Sequence, residues 1–160
     1  MKKLMKLSFV LVAAMFFSCS DDDNNGGGSG NQYLRFTAQG NDYDLNPETL
    51  SSLETIIFGF EGDGTDYRRV SLWMPNDVTV GSHEIQNTAL GYTASYETGD
   101  IVANATSGTL VVTSNDGNII KGTFSFTAEG SDGEGTYEVT NGSFRADAPT
   151  DPTTTRVQIK

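Results

Sequence analysis

Apolar and polar residues alternate with a period of two along most of the chain between residues 32 and 146. The segment Thr123–Thr127 is typical, because its two phenylalanines alternate with hydroxyl residues. This period indicates a β-strand with one buried face, and β-branched and aromatic residues favour the same structure. We therefore predict an all-β domain over residues 32–146, with these side chains pointing inward: Leu34, Phe36, Ile57, Val70, Leu72, Leu110, Val112, Phe124, Phe126, Val139 and Phe144.

Short loops rich in glycine, aspartate and asparagine separate the predicted strands and indicate antiparallel neighbours. They span residues 62–66, 115–117 and 130–135. In the second loop Asp116-Gly117 favours a type I′ turn, because both residue types tolerate positive φ. These loops predict a single antiparallel meander, either a β-sandwich or a barrel-like sheet. The one predicted helix is short and spans 46–52, with Pro47 at its N1 position.

The first 18 residues have the pattern of a secretory signal peptide. Three lysines within residues 1–6 precede the run Leu7–Phe17, which is apolar apart from Ser8. A helix of that length measures about 16 Å, whereas the hydrocarbon core of a membrane is ~30 Å thick. The run is therefore too short for a membrane-spanning helix and fits the apolar region of a signal peptide.

Cys19 follows this leader directly and is the one cysteine of the chain. Ser18-Cys19 resembles the end of a lipobox, the site where bacterial lipoproteins are cut before a lipidated cysteine. Phe16 and Phe17 depart from the usual lipobox residues. An exported chain with one cysteine has no internal disulfide partner. We therefore predict that Cys19 is lipidated and anchors the chain to a membrane.

Residues 19–31 join this anchor to the domain. The glycine-rich part, 24–31, has the composition of a flexible linker. Before it stands an acidic run that is either a solvated charge cluster or, by resemblance to surface lipoproteins of Bacteroidetes-type bacteria, an export signal to the outer face. The run consists of Asp21, Asp22 and Asp23.

The C-terminal tail, residues 147–160, is rich in proline and threonine, which predicts a loose segment. Its last five residues, Arg156–Lys160, alternate between polar and apolar side chains. This alternation is compatible with a last short strand.

The chain is strongly acidic, with 21 acidic residues, ten basic residues and a formal net charge of −11. Removal of residues 1–18 takes away three basic residues and no acidic one, which leaves seven against 21 and a charge of −14. Such a surface repels phosphate groups, so nucleic acid and anionic membranes are poor partners for the domain itself.

Few residues offer catalytic or metal-binding chemistry. His83 is the one histidine, and its strand neighbours Ser82 and Glu84 point to the opposite face, so the three cannot converge as a catalytic triad. One histidine and one lipidated cysteine do not supply the ligands of a zinc or iron site. We predict no cofactor, no metal and no enzymatic activity.

Two acidic loops and three aromatic residues remain as candidate binding sites. Loop carboxylates suit calcium, although the spacing departs from the EF-hand pattern and acidic turns also form for conformational reasons. The weak calcium candidates are Glu61, Asp63 and Asp66, with Asp132 and Glu134 in a second loop. The aromatic candidates for a ligand-binding patch are Trp73, Tyr92 and Tyr96. The alternative is that such aromatic residues are packed in the core.

Four segments resemble a family of small Bacteroidetes-type lipoproteins of uncharacterised function: YLRFTAQGNDYDL, VTVGSHEI, SGTLVVTSNDGNIIKGTFSFTA and TYEVTNGSFRAD. The strongest marker is GTFSF at 122–126 followed by TNGSF at 140–144. The resemblance implies a β-sandwich or barrel-like domain behind a lipobox, without an established active site. Physically, Gly122 and Gly142 then mark bulges or close backbone approaches.

The most favoured function is that of a monomeric, non-enzymatic lipoprotein of the outer membrane or cell surface. It contacts the membrane through its lipid anchor and uses its β-domain to bind a glycan or protein partner, or to build a structure. One alternative is a calycin-like or lipocalin-like carrier of a small apolar ligand, which requires a closed sheet with a deep apolar mouth. A fimbrillin-like structural subunit is the other.

Overall fold

The computed structural model describes residues 31–87, 90–131, 133 and 135–148. Ten strands and one short 3₁₀ turn, Gly64–Asp66, form the secondary structure of this part of the chain, so the predicted all-β fold is confirmed. The strands are β1 (Tyr33–Ala38), β2 (Asn41–Leu45), β3 (Glu48–Ser51), β4 (Glu54–Glu61), β5 (Arg68–Pro75), β6 (Gly81–Ile85), β7 (Thr93–Thr98), β8 (Ile101–Asn115), β9 (Ile119–Gly130) and β10 (Thr136–Asp147).

The strands form one antiparallel sheet in the order β2-β1-β10-β9-β8-β7-β5-β4-β3. The sheet curls into a half-barrel, which decides between the two architectures that the sequence left open. Its edge strands, β2 and β3, are joined by Asn46 and Pro47 alone. Because consecutive Cα atoms are ~3.8 Å apart, the chain ends of these two edges lie within about 11 Å of each other.

The long strand β8 carries two short strands along one side. Its first part pairs with β7 and its second part pairs with β6, while β9 pairs along the opposite side. Since β6 and β7 are both antiparallel to β8, they run in the same direction. They lie end to end along the same side of β8 and together occupy one strand position of the sheet. Just after β6, the backbone N–H of Gln86 donates a hydrogen bond of 2.9 Å to the carbonyl oxygen of Tyr92, so Tyr92 lies beside the end of β6.

The inside of the curl is filled by a continuous apolar core. All eleven residues that the alternation predicted to point inward are buried there, and none of them is more than 4% exposed. Phe144 and Tyr96 are the largest side chains that are completely buried. The period of two therefore identified the inner face of the sheet correctly.

Three glycines on β8, β9 and β10 stand directly opposite phenylalanines: Gly108 opposite Phe126, Gly122 opposite Phe144 and Gly142 opposite Phe124. A Cβ atom on Gly122 would lie 2.6 Å from Cε1 of Phe144, and one on Gly142 would lie 2.5 Å from Cδ2 of Phe124. The rings thus lie on bare backbone, as predicted for these two glycines. Beside Gly142 the register of β10 also shifts, and Asn141 has a φ of 53°.

The predicted helix over residues 46–52 is wrong. Glu48–Ser51 is instead the edge strand β3, which pairs with Thr55–Phe58 of β4. Proline fixes φ at a value that suits extended chain as well as a first helical turn, and an edge strand tolerates it at its start. Ladder hydrogen bonds to β4 determine the structure of this segment.

None of the described residues belongs to a helix with the length and apolar character that a membrane span requires.

The hairpin between β8 and β9 forms as predicted, but its turn is not of type I′. Gly117 has a φ of 83°, whereas Asp116 does not have a positive φ. The Asp116 carboxylate instead accepts hydrogen bonds from the backbone N–H groups of Asn118 and Ile119, at 2.9 and 2.8 Å. These two bonds hold the pKa of the Asp116 carboxyl below its usual value, because they stabilise the ionised form.

Candidate binding face

The outward side of β3, β4, β5 and β8 carries a second set of apolar side chains. On β4, Ile57 points into the core, so its neighbours Ile56 and Phe58 point outward, followed by Phe60 two residues later. The ladders place Leu50 and Trp73 on either side of Ile56. We call this surface the outer apolar face and define it by Leu50, Ile56, Phe58, Phe60, Trp73 and Val102.

Much of the outer apolar face is accessible to solvent. Leu50 is 54% exposed, Phe60 is 51% exposed and Val102 is 40% exposed. Phe58, in contrast, is buried without belonging to the core of the curl, and its ring stacks beside Phe60 with centroids 6.5 Å apart. Leu50, Ile56 and Trp73 are direct cross-strand neighbours, whereas Arg69 and Glu97 lie between Phe60 and Val102. Neighbouring exposed apolar side chains on a folded domain are typical of interaction sites.

Polar groups are built into the same face. The Arg69 guanidinium carbon lies 4.6 Å from the ring centroid of Phe58, and an Arg69 nitrogen lies 3.7 Å from a Glu97 carboxylate oxygen. Nε of Arg69 and Oγ of Ser71 are buried without a hydrogen-bond partner. A buried unpaired donor costs free energy, so such atoms are uncommon in a region that serves packing alone.

The structure separates the three aromatic residues that the sequence proposed as one patch. Trp73 lies half-buried on the outer apolar face, between Ile56 and Thr93 of the neighbouring strands. Tyr96 is completely buried in the core, and Tyr92 packs against the core from the inside. The predicted patch is therefore wrong as a unit, because Tyr92 and Tyr96 share the inward parity of Ala94.

His83 lies against Tyr92 at the interruption between β6 and β7. The two rings stack with centroids 3.9 Å apart and planes 9° apart. A nitrogen of the same imidazole, Nε2, lies 2.8 Å from the carbonyl oxygen of Thr79. Both contacts fix the ring in place, so His83 has a role in packing β6 against Tyr92.

The calcium candidates do not converge. Asp63 precedes the 3₁₀ turn and Asp66 is its last residue, and the backbone N–H of Asp66 donates to the carbonyl oxygen of Asp63. Within the described residues, no group of three or more His, Cys, Asp or Glu side chains is placed to hold a metal ion, so Glu61, Asp63 and Asp66 do not form one. In the second acidic loop, Asp132 and Glu134 themselves lie outside the described residues.

The predicted lipidation site and export signal also lie outside the described residues. These are Cys19, Asp21, Asp22 and Asp23. The described chain begins at Asn31, directly before β1.

Tyr96 occupies the centre of an inward aromatic cluster. Its ring centroid lies 6.4 Å from that of Phe36 and 5.8 Å from that of Tyr137, and Phe36 stacks on Tyr43 at 4.8 Å. The Tyr96 hydroxyl is buried and makes no hydrogen bond. Burial, with a further contribution from Tyr43, raises the pKa of Tyr96 to about 12.

Replacing Tyr96 by phenylalanine is expected to leave stability unchanged or higher at neutral pH and to reduce its loss at alkaline pH. An unfolded tyrosine deprotonates near pH 10, whereas folded Tyr96 keeps its proton up to about pH 12. The wild-type protein therefore loses stability as the pH rises from 10 to 12, by roughly 2–3 kcal/mol for two pKa units. Denaturant unfolding at neutral and alkaline pH measures this difference. A Tyr96→Phe variant with the pH dependence of the wild type would contradict it, and Tyr33→Phe is the control.

One family model matches the part of the chain that contains the outer apolar face. It is described as a domain of unknown function, DUF6252, and matches residues 48–146. The chain belongs to this family. The DUF6252 match runs from β3 through most of β10 and leaves β1 and β2 outside. The match confirms the expectation that the domain belongs to an uncharacterised family. No curated protein and no solved structure gives a significant match to the chain.

Sequence reasoning missed the outer apolar face, although a signal was present. The segment Ile56-Ile57-Phe58-Gly59-Phe60 of the DUF6252 domain is apolar at consecutive positions, so it supplies apolar side chains to both faces of β4. A strand with one solvated face alternates instead. A continuous apolar run in an otherwise alternating sheet therefore indicates a second contact surface.

Proposed function

We propose that this protein is an outer-membrane lipoprotein, exposed at the cell surface, whose β-domain binds a protein partner without catalysing a reaction. The anchor is supported by the sequence alone, through the leader 1–18, Cys19 and the acidic run that follows it. The linker 24–31 then gives the domain an r.m.s. reach of roughly 15 Å from its lipid. This is enough to lift the domain from the lipid headgroups.

The outer apolar face is the observation that carries the binding proposal. Phe60 and Leu50 are about half exposed, and a side chain of this kind loses its contact with water when a partner covers it. Burial of apolar surface contributes roughly 25 cal/mol per Å². Trp73 and Arg69 lie on the same face, and these two residue types are enriched among the side chains that dominate protein interfaces.

The composition of the face favours a protein over a glycan. A glycan-binding platform needs flat aromatic rings surrounded by hydrogen-bonding groups, whereas this face adds the aliphatic residues Leu50, Ile56 and Val102. Leu53, in the turn between β3 and β4, is a further exposed aliphatic residue, at 83%. Aliphatic and aromatic side chains together form the centre of protein–protein interfaces.

The carrier and fimbrillin alternatives receive less support. A carrier needs an apolar cavity, but the inside of this curl is occupied by fully buried side chains such as Tyr96, Phe144 and Ile57. The groove of about 460 Å³ beside β1 and β2 is open, and its lining includes Arg35 and Asp44, which form an ion pair at 3.0 Å. Among the described residues, no contact favours a structural subunit over a binding module.

A photo-crosslinking amino acid at position 60 of the full-length protein, expressed in its own cells, is expected to form a covalent adduct with a protein partner. The same amino acid at position 123 is the matched control, because Thr123 is exposed and points outward from β9, away from the outer apolar face. Adduct formation is followed by the mass shift of the protein on a denaturing gel.

The adduct at position 60 should decrease when a charge is placed elsewhere on the outer apolar face, as in Leu50→Asp, because Leu50 is 54% exposed and lies outside the core. Equal adducts at positions 60 and 123, or none at position 60, would contradict the proposal. An adduct whose mass shift is removed by glycosidases but not by proteases would favour a glycan partner instead.

A further inference from the structure

The edge strand β3 has one hydrogen-bonded neighbour within the described residues. It pairs with β4 on one side, and no ladder joins its other side to any described strand. An unpaired strand edge presents backbone N–H and C=O groups that can bind another strand. Leu50, in the middle of β3, is 54% exposed, so this edge also has an apolar side chain to cover.

The described chain ends beside this edge. Oγ1 of Thr49 donates a hydrogen bond of 2.9 Å to the carbonyl oxygen of Asp147, the last residue of β10. Ala148 follows as the last described residue, and residues 149–160 continue from it. The tail therefore begins within reach of β3.

The last five residues of the tail have the pattern and the charge that this edge requires. Val157 and Ile159 alternate with Arg156, Gln158 and Lys160. Strands β3 and β4 carry three glutamates, Glu48, Glu54 and Glu61, and no basic residue. A segment with two positive charges and no negative charge is electrostatically complementary to them.

We propose that Arg156–Lys160 adds to the free edge of β3 as an eleventh strand, with Val157 and Ile159 on the side of Leu50. The strand would extend the row formed by Leu50, Ile56 and Trp73. The seven residues 149–155 span up to about 23 Å when extended at ~3.3 Å per residue, which exceeds the length of a four-residue strand, about 13 Å. The inference is independent of the proposed function, since it concerns the closure of the sheet rather than the partner.

Amide hydrogen exchange of the full-length protein tests the proposal. The double variant Val157→Asp/Ile159→Asp is expected to raise the exchange rates of β3 amides by at least about tenfold, because the added strand protects them. Thr153→Asp/Thr154→Asp is the matched control, since it places the same charges in the connecting segment. Rates in β9 and β10 should not change. Equal β3 rates in wild type and both variants would overturn the proposal.

Cysteine pairing identifies which copy of the tail occupies the edge. In full-length protein with Cys19→Ser, Leu50→Cys is combined with a cysteine at position 157 or 159, since paired strands bring Cα atoms within disulfide range. A disulfide within one chain, seen as a monomer on a non-reducing gel whose two thiols react with a maleimide only after reduction, supports the proposal. A disulfide-linked dimer would overturn it in favour of a second copy, and the absence of a disulfide at both positions would overturn it as well.

Discussion

Replacing Phe124 by alanine is expected to lower the free energy of unfolding by about 3–5 kcal/mol, the usual cost of removing a buried phenylalanine. Phe124 is 4% exposed, and its ring centroid lies 6.2 Å from that of Phe126 and 6.4 Å from that of Phe144. The ring also covers the bare backbone of Gly142. Because a domain of this size is stable by about 5–15 kcal/mol, this one change removes a large share of the total.

Denaturant unfolding of the two proteins measures the difference. Phe60→Ala is the matched control, because it makes the same chemical change at a ring that is 51% exposed on the opposite face of the sheet. We expect it to cost less than about 1 kcal/mol, as for most surface substitutions. A loss below about 1 kcal/mol for Phe124→Ala, or equal losses for the two variants, would contradict the assignment of inner and outer faces.

The inner face could be predicted because each long strand has an apolar side chain at every second residue. On β9, Phe124 and Phe126 alternate with Thr123 and Ser125, so one error in register would expose every apolar side chain at once. The glycines opposite the phenylalanines added a second, independent signal, because a residue without a Cβ in a strand interior indicates a close approach.

The prediction failed where the structure of a segment depends on a distant partner. Residues 46–52 have a helix-compatible start at Pro47, but they form β3 because Thr55–Phe58 of β4 supplies the ladder. The predicted aromatic patch failed for a related reason. Tyrosine is amphipathic, so the residue type alone did not show that Tyr96 faces the core whereas Trp73 faces outward.

The outer apolar face can be predicted from the sequence only if the residues on both faces of each strand are inspected. Ile57 and Gly59 satisfy the inward pattern of β4, and this agreement hides the fact that Ile56, Phe58 and Phe60 are also apolar. In an α/β protein such a run would indicate a strand covered on both sides. In this curled sheet one side is the core and the other is the outer surface, so the second set of side chains lies where the proposed partner would cover it.

Replacing Cys19 by alanine is expected to release the protein from the membrane completely or to stall it before its leader is removed. The proposed anchor depends on this one thiol, because no other cysteine of the chain could take a lipid. Each buried methylene of an acyl chain contributes about 0.8 kcal/mol to membrane binding, so loss of the lipid moves the partition far toward the aqueous phase. Detergent-free fractionation measures the release, and metabolic labelling with a fatty-acid analogue measures lipidation.

The Asp21→Ala/Asp22→Ala/Asp23→Ala variant separates the anchor from the export signal, since it leaves Cys19 in place. It is expected to stay lipidated and membrane-bound but to become inaccessible to protease added to intact cells, because the acidic run is the proposed address for the outer face. Fatty-acid label on the Cys19→Ala protein would contradict lipidation at this residue. Unchanged proteolysis of the triple variant would instead leave the anchor intact and make the acidic run a solvated part of the linker.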